Sequence, residues 1–201
     1  MYMLDAVKQV VERFTDIGRP TRQELVSLLR KRKPNAFRFP DDGVTPNNPT
    51  LPMVLYRTPV RLAQMFDPAA ILEELFHANG WGEAWRNGIY SYLHYHSQIH
   101  EVLGIARGKV RVEFGGKSGR KITLKAGDVV VMPAGTGHRR IGHSSDLLVV
   151  GAYPAFGKYN ECLPLKHDHE RAMLDIAKVS LPSKDPVYGR HGPLIRLWSK
   201  R

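Results

Sequence analysis

The stretch Tyr92–Gly108, YLHYHSQIHEVLGIARG, places three histidines and a glutamate within eight residues: His94, His96, His100 and Glu101. Its other residues are apolar and β-prone, so these polar groups stand in what otherwise reads as core. A strand has period two, so His94 and His96 project to one face, shared with Tyr90 and Tyr92 if the strand is regular. Glu101 opens the next run. If the two runs pair as a hairpin, the carboxylate comes beside the two imidazoles. Two histidines and a carboxylate converging inside a β-barrel make a site for a divalent metal ion. Imidazole suits iron, zinc, nickel and copper, and the carboxylate keeps manganese and iron among the candidates. Parity points His100 away from that face. It is read as a non-ligand: a donor behind the ligands, an exposed residue, or, were the turn bulged, an alternative ligand. Tyr90, Tyr92 and His100 are the candidates to line a substrate pocket; no acid–base residue stands out.

Moving outward, short β runs separated by brief turns, most of them containing glycine, fill the second half of the chain. They cover residues 89–96, 100–107, 109–114, 120–125, 128–133, 138–142 and 146–153. Strands at this spacing indicate a sandwich or a barrel. GDVVVMPAGTGH (127–138) leads one run through a Pro-Gly turn into the next and ends on His138, which could reach the same cavity as a fourth ligand.

Together these segments resemble the cupin motifs. Gly88, His94, His96, Glu101 and Gly108 fit G(X)5HXH(X)4E(X)6G, and Gly127, Pro133, Gly135 and His138 fit G(X)5PXG(X)2H. The second motif usually continues H(X)3N, where this chain has Gly142; that position is not a ligand. DDGVTPNNPTLP, WRNGIY, HYHSQIHEVLG, VVGAYP and DPVYGRHGPLIRLW are similar to the uncharacterised YjlB-type cupins from about residue 37 to 198. The resemblance implies an all-β core, a double-stranded β-helix or jelly-roll barrel, with His94, His96, Glu101 and His138 holding one divalent ion (Fe, Mn, Zn or Ni). Four protein ligands would leave one or two coordination positions open, which favours a metal-dependent enzyme acting on a small molecule, dioxygenase- or isomerase-like. The other reading is a non-catalytic cupin that binds a small molecule or metal for sensing or storage.

The rest of the chain frames this core. Leu4, Val7, Val10, Val11 and Phe14 have helical spacing. TRQE (21–24) is a capping box opening a second helix expected to run to about Lys33, before Pro34. These two form an N-terminal helical arm over 1–36, ahead of a single cupin domain over 37–201. Residues 34–52 read as an ordered loop, 53–57 as a strand and 67–81 as a helix with Pro68 in its first turn. Residues 167–179 read as a short helix and 192–198 as a closing strand.

Composition narrows the classes. The chain has 201 residues, enough for one domain with a real core. A single cysteine, Cys162, excludes an intrachain disulfide framework, and it reads as a small buried hydrophobe. No run is apolar over the length of a membrane span, and the N-terminus lacks the apolar stretch of a secretory signal, so a cytoplasmic protein is expected. The formal net charge is +11, partly in the RKRK run at 30–33. That charge reads as a solvated helix end; a polyanion partner would announce itself by steep salt dependence, and a nucleic-acid partner is not expected. Arg107, Arg111, Arg139 and Arg140 could clamp a carboxylate, and Trp81, Trp85 and Tyr153 could wall the pocket. His77 reads as a helix-end cation, and His167 and His169 as non-ligands. A small-molecule ligand and a homodimer are the partners expected.

Overall fold

The computed structural model describes residues 18–199 together with Val7, Val10 and Val11; the helix expected over residues 4–16 lies largely outside the described residues. The described strands are β1 Asn35–Phe37, β2 Met53–Tyr56, β3 Trp81–Asn87, β4 Glu101–Arg107, β5 Lys109–Phe114, β6 Arg120–Lys125, β7 Val129–Met132, β8 His138–His143 and β9 Leu148–Pro154. They form one six-stranded sheet, β1-β2-β7-β4-β9-β3, and one three-stranded sheet, β6-β5-β8. Every pairing between these strands is antiparallel. The fold is all-β with a few short helices, the jelly-roll architecture that the resemblance implies.

Alternation along the strands explains both cores. On β4, Leu103 and Ile105 face the barrel interior with Met53, Leu55, Val130, Val112 and Phe114. Val102 and Ala106 face the opposite way, into a second cluster with Val129, Val131, Val150 and Ala152. The larger sheet is therefore buried on both faces, which is why its strands read as unbroken apolar runs. Helix α2, Pro68–Ala78, covers the outer face with Ile71, Leu72, Leu75 and Phe76. Leu72 and Phe76 sit so close over Gly104 that a Cβ there would meet them at 3.0 Å. Helix α1, Arg22–Leu28, carries both bonds of its capping box and packs Leu25 and Leu28 into the same outer cluster.

Several expectations are corrected. Residues 34–52 are not loop throughout: Asn35–Phe37 forms β1 against β2. Residues 89–96 form no ladder; only His94 and Tyr95 make isolated bridges. The strand that fills that place is β3, hidden in the sequence because Gly82 and Glu83 interrupt its alternation: the register shifts between Gly82 and Trp85, and Glu83 has φ +51°. The expected closing strand is helix α4, Pro193–Trp198. Over so short a run both periods fit, but Leu194 and Trp198 are the fully buried pair, at the i, i+4 spacing of a helix. Asp185 accepts from the Leu194 N–H at 3.1 Å, and the Trp198 indole donates to the Pro52 carbonyl at 2.9 Å. Finally, α1 stops at Leu28, short of Lys33, because Leu29 leaves it to bridge Val60. Residues 167–179 do form a helix, α3, His169–Ile176.

Candidate metal centre

His94, His96, Glu101 and His138 are buried and reach one end of the barrel from three different pieces of chain. His94 lies in an extended segment that bridges the first residue of β8: its N–H donates to the His138 carbonyl at 3.2 Å, and the His138 N–H returns a bond at 2.9 Å. Tyr95 turns to the other side and bridges Cys162. The period-two alternation survives without a ladder, so His94 and His96 still share a side. Glu101 does not pair with this segment, contrary to the hairpin expectation. It opens β4 opposite Met132 of β7, on the face that carries Leu103 and Ile105 into the barrel. Gly135, at φ +92°, allows the turn into β8; a Cβ there would lie 2.6 Å from the Asn47 carbonyl.

The hydrogen bonds fix the chemistry of the imidazoles. Each donates Nδ1–H to a backbone carbonyl: His94 to Tyr92 at 3.2 Å, His138 to Thr136 at 3.1 Å, and His96 to Asn160. That leaves each Nε2 as a lone-pair donor. One nitrogen from each of His94, His96 and His138 lies within 4.8 Å of the others. Glu101 Oε2 is 3.4 Å from His96 Nε2 and 3.5 Å from His138 Nε2. Ligands each about 2.1 Å from a shared ion stand about 3–4 Å apart, so the spacing fits one cation. His96 Nε2 and Glu101 Oε2 are buried without any hydrogen-bond partner. Orphaning a buried carboxylate oxygen and a lone pair costs several kcal/mol unless something positive sits between them. The cluster is suited to metal binding.

Electrostatics divide the three imidazoles. Burial, helped by the neighbouring His94, pushes His138 down to about 3, and burial also lowers His94, so both are held neutral. Burial opposes charge on His96 and on Glu101 as well, but their mutual attraction wins: His96 is raised and Glu101 lowered.

The cluster opens on a cavity of about 550 Å³ walled by Trp85, Ile89, Tyr90, Leu103, Tyr153 and Tyr159. Tyr90 stands in its wall. Tyr92 stacks on Tyr90, ring centroids 4.9 Å apart, and donates its hydroxyl to Glu161 at 2.7 Å. His100 does not line it. Its Nδ1 accepts from the Ala134 N–H at 2.9 Å, its Nε2–H donates to the Ser180 carbonyl at 3.1 Å, and its ring packs on Trp198. Trp85 and Tyr153 wall the cavity, whereas Trp81 is buried under the outer face and donates to the Lys184 carbonyl. None of the four expected arginines lines it; Arg139 pairs with Glu113 at 2.9 Å and Arg140 donates to the Ile89 carbonyl. Arg86 does reach the lining, and its guanidinium is bound by Asp67 and Glu73. His167 and His169 pair with acids at the surface, Asp168 and Asp41.

Sequence reading missed Asn160 and Tyr159. Asn160 supplies the carbonyl that orients His96, while its side-chain oxygen accepts from the Ser97 and Gln98 N–H groups at 3.1 Å each. The Tyr159 ring lies 5.1 Å from that of His96. Both sit in a segment without periodicity, so only the density of polar and aromatic residues in YNE could have flagged them.

The cupin domain family model matches residues 85–150, which include all four clustered residues. Uncharacterized protein YjlB of Bacillus subtilis (strain 168) is 36% identical over 170 residues, spanning 85% of this chain and 99% of that protein. Among solved structures, RmlC from Streptococcus suis in complex with dTDP-D-xylose is 14% identical with a TM-score of 0.35, covering 61% of this chain and 71% of that one. Acireductone dioxygenase from Bacillus anthracis is 15% identical with a TM-score of 0.32, covering 44% and 62%. The WlaRB ketoisomerase from Campylobacter jejuni is 14% identical with a TM-score of 0.38, covering 44% and 74%. With the cupin motifs filled on a jelly-roll barrel and a relative aligned over nearly its whole length, the chain belongs to the cupins, in the family of YjlB.

Proposed function

We propose that this protein is a metal-dependent cupin acting on a small organic molecule, with His94, His96, Glu101 and His138 holding one divalent ion. The observation that carries the reading is the pair of buried, partnerless atoms, His96 Nε2 and Glu101 Oε2, facing each other across 3.4 Å at the end of a cavity. When bound, the ion would supply Lewis-acid polarisation of a carbonyl or hydroxyl oxygen, or redox chemistry if it is iron or manganese.

The chain's own residues would do the rest. Backbone carbonyls at Tyr92, Thr136 and Asn160 hold the imidazoles in the ligating tautomer. The Trp85 indole donates to the Tyr153 hydroxyl at 3.0 Å, and burial next to Glu101 keeps that phenol protonated well above its ordinary range. Tyr153 is thus placed to donate a hydrogen bond to a substrate oxygen in the cavity. Leu103, Ile89 and the aromatic walls exclude water around that oxygen.

The test is elemental analysis of purified, tag-free protein, followed by turnover screens with small carbonyl and hydroxy compounds. Near-stoichiometric metal, with turnover that falls in Tyr153→Phe, supports the proposal. No metal after reconstitution overturns it and leaves a metal-free binding barrel. Metal retained without turnover would favour sensing or storage.

A further inference from the structure

Above the metal centre, the cavity walls are made mostly of aromatic rings. Tyr90 meets His94 edge to face, centroids 5.3 Å apart, and Tyr159 meets Tyr153 in the same way at 5.4 Å. Trp85 completes the wall. It lies against Gly151 of β9, where any Cβ would run into the indole, and its N–H is spent on the Tyr153 hydroxyl. Tyr90 and Tyr159 stand in the wall, yet each leaves nearly half of its surface exposed. Large aromatic faces left open in a concave site offer packing for another ring. The volume of about 550 Å³ is that of a small-molecule site.

Charge around the cavity fixes a second property of its occupant. Among the described residues the lining holds one Lys or Arg, namely Arg86. Its Nη1 donates to Asp67 at 2.7 Å, and its Nε and Nη2 donate to Glu73 at 2.9 and 3.0 Å. Both carboxylates are buried, so the charge of this guanidinium is already met. Glu161 stands behind the mouth. Its Oε1 accepts from the Tyr92 hydroxyl at 2.7 Å and its Oε2 from the Tyr159 hydroxyl at 3.4 Å. Two phenols share that charge without cancelling it, and it acts on His94 and His96 at the base of the cavity. Ring faces carry the negative end of the aromatic quadrupole. An anionic group beyond reach of the ion would therefore meet ring faces and Glu161, with no cation of the lining left to pair it.

We infer that the cavity takes an uncharged ring compound carrying a hydroxyl or carbonyl oxygen, with Tyr159 and Glu161 as the residues that set this choice. The oxygen faces the ion and the Tyr153 hydroxyl, the ring packs against Tyr159 and Tyr90, and Glu161 turns away a carboxylate or phosphate substituent. The inner anchor, and with it the assignment, rests on the metal-dependent reading of the site. Tyr159 and Glu161 flank Asn160, whose carbonyl orients His96, so one segment steadies a ligand and presents the selecting pair.

The experiment is isothermal titration calorimetry of the full protein, zinc-loaded and metal-free, with three probes and with zinc content measured in parallel. Kojic acid is a neutral ring hydroxy-ketone. Comenate is the same ring with a carboxylate in place of the hydroxymethyl group, and hydroxyacetone is an open-chain hydroxy-ketone. Kojic acid should bind zinc-loaded protein at least tenfold more tightly than either of the others and should keep that order in metal-free protein. Tyr159→Leu should weaken kojic acid about three- to tenfold, the worth of one aromatic contact, and Tyr159→Phe should restore it. Glu161→Gln should narrow the gap between kojic acid and comenate at least threefold and leave zinc content unchanged. Comenate or hydroxyacetone binding as tightly as kojic acid would overturn the inference, as would no binding of kojic acid by either form up to about 10 mM. So would a gap that Glu161→Gln leaves unmoved, or a kojic acid affinity that Tyr159→Leu leaves unmoved. If zinc is not retained, the metal reading fails separately, and the order of the three probes in metal-free protein decides the cavity's choice.

Discussion

Four buried histidines lie in this barrel, and they divide into two kinds. His94, His96 and His138 spend Nδ1–H on backbone carbonyls and turn Nε2 into the cavity. His100, 1% exposed, has both nitrogens bonded to backbone and its ring against Trp198. Its tautomer is the reverse of theirs, with the proton on Nε2. The difference teaches that burial and residue type do not make a ligand. What makes one is a lone pair left without a partner and aimed where others converge. His100 is instead a cross-link between the turn that carries Ala134 and the C-terminal segment at Ser180.

The sharpest way to break this comparison is to truncate one member of each kind. His96→Ala should lose bound metal, with affinity falling by more than the about 100-fold that supporting-residue changes reach, as measured by elemental analysis and competition with a chromophoric chelator. Full metal retention would merge the two kinds of histidine. His100→Ala should do the reverse: metal stays near wild-type occupancy while stability drops by about 2–4 kcal/mol in urea unfolding, because the Ala134 N–H is orphaned and Trp198 loses its packing partner. Loss of metal with unchanged stability would reverse the roles assigned here.

Chelation sharpens the comparison further. At free metal about 100 times the dissociation constant, binding to the folded state adds about 2.7 kcal/mol. Stripping metal should therefore lower Tm by about 5–10 °C for a chain of this size. The same treatment should leave His96→Ala unmoved and should still destabilise His100→Ala. The smallest effect is expected at Arg139, beside the proposed ligand His138 in sequence but paired with Glu113 on the surface. Arg139→Ala should cost less than about 1 kcal/mol and leave metal occupancy alone. A drop in metal content there would show that the strand carrying His138 is positioned by that ion pair.

Much of the site was legible because its spacing is local. His94 and His96 are two residues apart, and Glu101 and His138 each open a strand whose boundaries were readable from glycine and apolar runs. The strands at 109–114 and 120–125 emerge with the boundaries expected. The illegible parts are those where two periodicities fit or where an interaction spans many residues. PLIRLW satisfied a strand and a helix alike. β3 was masked by a bulge at Glu83. Asn160 meets His96 across 64 residues, and nothing in its own neighbourhood foretells it.

The sequence by itself determined the alternation that brings His94 and His96 to one side, the turn that launches His138 and the apolar faces that make a barrel, because each depends on neighbours within a few positions. Only the tertiary structure decided which nitrogen of each histidine is free, that β4 receives β7 and β9 in place of the expected hairpin partner, and that the arginines near the motifs turn elsewhere. It also gathered Trp85, Tyr90, Tyr153 and Tyr159 from two distant stretches into one cavity wall. Those outcomes rest on which backbone carbonyl, carboxylate or ring arrives from afar, and chain-local patterns of charge and hydropathy carry no record of that arrival.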